Sequence, residues 1–163
     1  MIKGYSYHIY FILFIVFIAQ LFAPRIYMFG ELMFLDIFLI YLTYLSTQNS
    51  RLHLILIGFL FGLIQDIITQ HELLGLFAIT KTIIGFSLGT LNRYNKIWNR
   101  SIKILFLFLV YLSHFVISSY LMFDRSITPI FYILQVSLMQ SIWTFLVMYI
   151  INRFILIDNK IIK

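Results

Sequence analysis

Three observations predict an all-α, polytopic integral membrane protein. The 163 residues are 62% apolar and 19% aromatic but only 11% charged, with a mean hydropathy of +0.98. The apolar residues run continuously instead of alternating. Lys and Arg fall mainly between those runs and favour one side of the chain. A soluble domain carries about 45–50% apolar and about 25% charged residues, and a chain this poor in charge has too little polar surface to cover a water-soluble globule. A disordered chain would be polar and charged. A lipid-spanning barrel would alternate apolar and polar residues over about 10 positions. Since a membrane helix takes about 20 mainly apolar residues, six would nearly fill the chain. A single transmembrane domain over 1–163 is therefore expected, with no room for a soluble one.

The expected spans are 9–23, 32–46, 52–68, 73–91, 102–123 and 129–152. The first ends at Pro24-Arg25. Its basic start at Lys3 also suits a signal peptide, but Ala19-Gln20-Leu21 and Leu21-Phe22-Ala23 are poor cleavage sites, so an uncleaved helix is expected. The first two spans are short, which calls for little tilt or a thinned bilayer. The sixth opens at Pro129, where a missing N–H costs a helix nothing.

Six spans put the N-terminus, the second and fourth loops and the C-terminus on one side. That side holds nine basic residues: Lys3, Arg51, Arg93, Lys96, Arg100, Lys103, Arg153, Lys160 and Lys163. The other side holds two, Arg25 and Arg125, while Lys81 falls inside a span. The asymmetry predicts cytoplasmic termini and explains the net charge of +6 without nucleic acid. Trp98 and Tyr94 sit in or beside the basic fourth loop, at the headgroup level such rings favour. The basic loop Arg93, Lys96, Arg100 and Lys103 reads first as orientation anchoring. Contact with acidic lipid or a cytoplasmic partner is the second reading.

Conventional catalytic signatures are missing. No cysteine is present, which removes disulfides, thiolate metal sites and Cys nucleophiles. His71-Glu72 is followed by Leu73-Leu74-Gly75 and makes no HExxH zinc motif, and the four histidines lack ligand spacing. There is no GxSxG elbow and no Walker A loop. A non-enzymatic protein without metal or cofactor is expected.

The informative stretch lies in spans three and four. Gly58 and Gly62 share one helix face, as do Gly85 and Gly89, and small residues four apart let helices approach closely. Asp66 continues the first face by one turn. Lys81 lies inside the neighbouring antiparallel span, and its long stem makes an Asp66–Lys81 pair the expected arrangement, as a ligand or proton site or as a packing contact. Asp36 is a second intramembrane carboxylate, expected to face the interior or to snorkel outward. His114, with Ser113, Ser118 and Ser119 on span five and Gln135, Gln140 and Ser141 on span six, is expected to serve interhelical hydrogen bonding. A proton-relay role for His114 is the lesser reading.

The ordered set Gly58, Gly62-Leu63, Asp66, Leu74-Gly75, Lys81-Thr82, Gly85 and Gly89 resembles the bacterial rod shape-determining protein MreD family. Members often carry Pro-Asp-Leu entering span two. Here Leu35-Asp36-Ile37 keeps the Asp and lacks the Pro. The resemblance implies an inner-membrane scaffold of the elongation machinery for lateral peptidoglycan synthesis. It would bind the single-span protein MreC and work near MreB, RodA and a class B penicillin-binding protein. It also implies a six-helix fold like the substrate-binding subunits of energy-coupling-factor vitamin transporters. A vitamin-binding subunit of that type is the competing expectation, with Asp66 and Lys81 near its pocket.

Overall fold

The computed structural model describes residues 3–28, 30–69, 74–94, 97–123 and 127–154. The chain runs through helix α1 (Lys3–Leu21), strands β1 (Arg25–Met28) and β2 (Glu31–Phe34), and helices α2 (Ile37–Leu45), α3 (Arg51–Thr69), α4 (Leu76–Tyr94), α5 (Arg100–Met122) and α6 (Ile130–Phe154). The architecture is helical, as expected. Among the described residues, three helices are long and apolar enough to cross a membrane: α3, α5 and α6 over Ile130–Arg153. Shorter apolar stretches, Ile12–Leu21 and Leu76–Leu91, lie in α1 and α4. Large apolar side chains such as Phe14, Phe22, Ile67, Ile79 and Phe131 point outward, and water would not tolerate so much exposed apolar surface on a monomer.

The second expected span, 32–46, is not one continuous helix. Its first residues form a strand instead. Gly30, at φ +84°, lets the chain reverse in two residues, and β2 pairs antiparallel with β1, Arg25 opposite Phe34 and Met28 opposite Glu31. The helix starts only at Ile37. Its nine residues span about 13 Å at 1.5 Å each, under half of a hydrocarbon core of about 30 Å. The fourth helix also starts later than expected. Gly75 has φ +97°, which a right-handed helix excludes, so α4 opens at Leu76. Glu72 and His71 lie outside the described residues.

The tightest pairing is α3 with α4; α5 packs on α6 and α4, and α2 touches α1, α3, α4 and α6. The core gathers around α2. Leu39 and Leu42 are buried with Leu54, Leu88, Leu107 and Phe115, and Phe38 stacks on Phe61 with ring centroids 5.0 Å apart.

Candidate functional site: a charge cluster at the start of a half-length helix

The glycine faces do what their spacing predicts. A Cβ on Gly58 would stand 2.5 Å from the Lys81 carbonyl oxygen and 3.5 Å from Leu42 Cδ2. One on Gly62 would collide with Ala78 Cα and the Phe77 carbonyl, and one on Gly85 with the Leu54 carbonyl. At Gly89 it would meet the Arg51 stem. The α3 and α4 backbones therefore lie in direct contact along their length, with every glycine of both pairs at the seam.

Asp66 completes the seam differently from expectation. Its Oδ1 accepts the Phe77 N–H at 2.9 Å, and its Oδ2 accepts from Gly75 and Ala78, each at 3.1 Å. A helix begins with four N–H groups that have no intrahelical partner. Asp66 satisfies three of those at the start of α4, on Gly75, Phe77 and Ala78, from a neighbouring helix, and its negative charge sits at the positive end of the helix dipole. The expected Asp66–Lys81 pair is thus corrected, because both oxygens of Asp66 are taken by backbone donors.

Lys81 pairs with Asp36. Its Nζ donates to Asp36 Oδ2, and the same oxygen lies 3.1 Å from His114 Nε2. A carboxylate can only accept, so this contact places the imidazole proton on Nε2. Asp36 Oδ1 accepts the Leu39 N–H at 2.9 Å, capping α2. Asp36, Lys81 and His114 are each 0% exposed. The Lys81 ammonium also stands 5.9 Å from the Phe77 ring centroid. Gly58 fixes the Lys81 backbone against α3, α4 aims the stem inward, and α5 brings His114 from the far side. Three helices thereby converge on one carboxylate.

Further side chains serve the start and middle of the half-length helix and the strand before it. Gln20 Oε1 of α1 accepts the N–H groups of Ile37 at 2.7 Å and Phe38 at 3.2 Å. Gln140 Nε2 of α6 donates to the Phe34 carbonyl at 3.3 Å. Thr43 Oγ1 donates to the Leu39 carbonyl and lies 3.0 Å from the Tyr111 hydroxyl of α5. In hydrocarbon, irregular backbone is tolerated only where protein meets its hydrogen-bonding needs, and these side chains meet them. Among the described residues, His114 Nδ1 and both amide atoms of Gln65 are buried without a hydrogen-bond partner.

Sequence reasoning placed Asp36 and His114 in the membrane without seeing that they meet. It passed over Gln20 and Tyr111. An Asp directly before a nine-residue helix, apolar but for Thr43, is an N-cap signal that could have singled out Asp36. The serines are mostly local: Ser113, Ser118 and Ser141 donate to carbonyls three or four residues earlier on their own helices. Ser137 reaches across from α6 to the Phe115 carbonyl, as well as to Ile133. The basic loop is narrower than expected. Arg93 lies in the last turn of α4, while Arg100 and Lys103 belong to α5, Lys103 being buried. Lys96 lies outside the described residues.

The cluster holds its charges in a core closed to the surface, which suits positioning of helices more than chemistry on a substrate. A separate apolar cavity of about 320 Å³ lies between α1, α2 and α3, lined in part by Leu13, Phe17, Tyr41, Asn49, Leu60 and Ile64. No family model, curated protein or solved structure matches the chain.

Proposed function

We propose that the chain is a non-enzymatic scaffold of the bacterial inner membrane, of the MreD type, acting in the machinery for lateral peptidoglycan synthesis. The observation that carries this reading is the use of the shared motif. Gly58, Gly62, Asp66, Gly75, Gly85 and Gly89 all serve the contact of α3 with α4 or the turn that starts α4. Lys81, the remaining charged member, is spent on Asp36. A motif devoted to building one rigid helical hairpin suits a protein whose work is done by its outer surface. The partners on this reading are the transmembrane helix of MreC and, in the larger assembly, MreB, RodA and a class B penicillin-binding protein.

Six crossings, with both termini cytoplasmic, belong to the same proposal. The segment 31–45 serves as the second crossing, strand first and helix second. At about 3.3 Å per strand residue and about 1.5 Å per helical residue, such a segment approaches the thickness of the hydrocarbon core. The side chains of Gln20, Asp36 and Gln140 supply the polar partners that its irregular part requires.

The cavity between α1, α2 and α3 favours one second reading, a vitamin-binding subunit of an energy-coupling-factor transporter. Its volume lies at the small end of ligand pockets, about 300–1,000 Å³, and the buried ionic cluster does not line it. Mild-detergent purification of the tagged chain from its native membrane, with partners identified by mass spectrometry, separates the two. The scaffold reading expects MreC-like and cell-wall synthesis proteins. Recovery of paired ATPases with a coupling membrane subunit would replace it with the transporter reading.

A further inference from the structure

The end of the hairpin where α3 begins and α4 finishes holds an open cleft of about 390 Å³ lined by Ser50, Arg51, Gly89 and Arg93. The cleft depends on residue 89 having no side chain. A Cβ there would stand 2.7 Å from Arg51 Cγ and 2.8 Å from Arg51 Cα and Cβ. The Arg51 stem consequently lies across the α4 backbone, and its guanidinium carbon stands 4.7 Å from the Phe86 ring centroid. Arg93, one turn beyond Gly89, lines the same cleft.

Two guanidinium groups sharing one cleft repel each other unless an anion joins them. Among the described residues neither has an ion-pair partner. Asp36 is held in the core by Lys81, and Asp66 lies at the opposite end of α3, bound to the start of α4. The N-terminus of α3 adds its own partial positive charge. Arginine forks match the oxygens of a phosphate in pairs.

The surroundings tell a lipid phosphate from a free one. Ile79, Ile83 and Phe86 are 58%, 44% and 50% exposed and recur at the spacing of one helix face. They form an apolar stripe that starts beside the Arg51 guanidinium and runs along α4 away from the cleft. We propose that the cleft binds the phosphate of an anionic membrane lipid through Arg51 and Arg93, with an acyl chain laid along Phe86, Ile83 and Ile79. This site stands apart from partner capture, so the scaffold reading and the lipid site succeed or fail separately.

The test uses the full chain in neutral detergent, with binding of dioleoyl phosphatidylglycerol, dioleoyl phosphatidylcholine and inorganic phosphate measured by native mass spectrometry and thermal shift. Phosphatidylglycerol should bind about tenfold or more tighter than phosphatidylcholine. Arg51→Gln and Arg93→Gln should each weaken it about fivefold, the effect of about 1 kcal/mol per arginine at an anionic surface. Arg100→Gln, at the exposed first residue of α5, should leave it unchanged, and all three variants should keep the parent's helical content. Equal binding of the two lipids would overturn the proposal, as would an equal loss in Arg100→Gln. Inorganic phosphate binding as tightly as phosphatidylglycerol would make it a free-anion site and overturn the lipid assignment.

Discussion

Lys81 of α4 forms its ion pair with Asp36, 45 residues upstream at the start of α2, and leaves the nearer Asp66 to the backbone of its own helix. The two carboxylates do the same local job, since each caps a helix start. Only Asp36 combines that job with neutralising a buried cation.

That difference sets the response to substitution. Asp36→Asn or Lys81→Met alone leaves one charge uncompensated in the core and should cost about 3–5 kcal/mol. The double substitution removes both charges and should recover much of that loss, because a buried pair is often no better than an apolar replacement. Unfolding of the four proteins in a double-mutant cycle gives the coupling directly; strict additivity of the two losses would show that the pair does not interact.

Asp66→Ala should act locally on α4. It leaves the N–H groups of Gly75, Phe77 and Ala78 without their acceptor, at a cost of about 1–2 kcal/mol for a helix cap. Hydrogen exchange at Phe77 and Ala78 should quicken while the middle of α5 keeps its protection. An unchanged rate at both amides would refute the capping role.

Two glycines should separate close packing from backbone conformation. Gly62→Ala drives a methyl group into the Ala78 and Phe77 backbone and should cost about 3 kcal/mol, the upper range for overpacking. Gly75→Ala has open space around it and should lose only about 1–2 kcal/mol, from a left-handed φ. Thermal melts of the two variants check the order, and a reversed ranking would mean the helices part easily at Gly62.

Tyr111→Phe removes one side of a buried contact whose other side, Thr43, still donates to the Leu39 carbonyl. The loss should stay near about 0.5–1.5 kcal/mol. Thr43→Val takes away both bonds of the threonine hydroxyl and should cost more. Denaturation of the two variants side by side decides between them.

The hairpin of α3 and α4 was legible because it is local. Glycines four residues apart on two neighbouring helices specify a seam, and the structure places all four there. The partner of Lys81 was not legible. Closeness in sequence favoured Asp66, but the tight turn at Gly75 brings the first N–H groups of α4 onto that carboxylate first. Asp36 reaches Lys81 only because residues 31–34 fold back as a strand and start α2 deep in the bundle. That geometry depends on Gln20 and Gln140, on helices far away in the chain, and no local pattern encodes it. His114 meets Asp36 for the same long-range reason, 78 residues on.

The separation of Asp36 from its partners also orders events during biosynthesis. Lys81 follows 45 residues later and His114 78 residues later. At about 5–20 residues per second, the carboxylate leaves the ribosome seconds before its counter-ion exists. A nine-residue helix is too short to enter a bilayer by its own apolarity. On the proposed six-crossing reading, Asp36 therefore stays without its counter-ion until α4 is made, and without His114 until α5 follows.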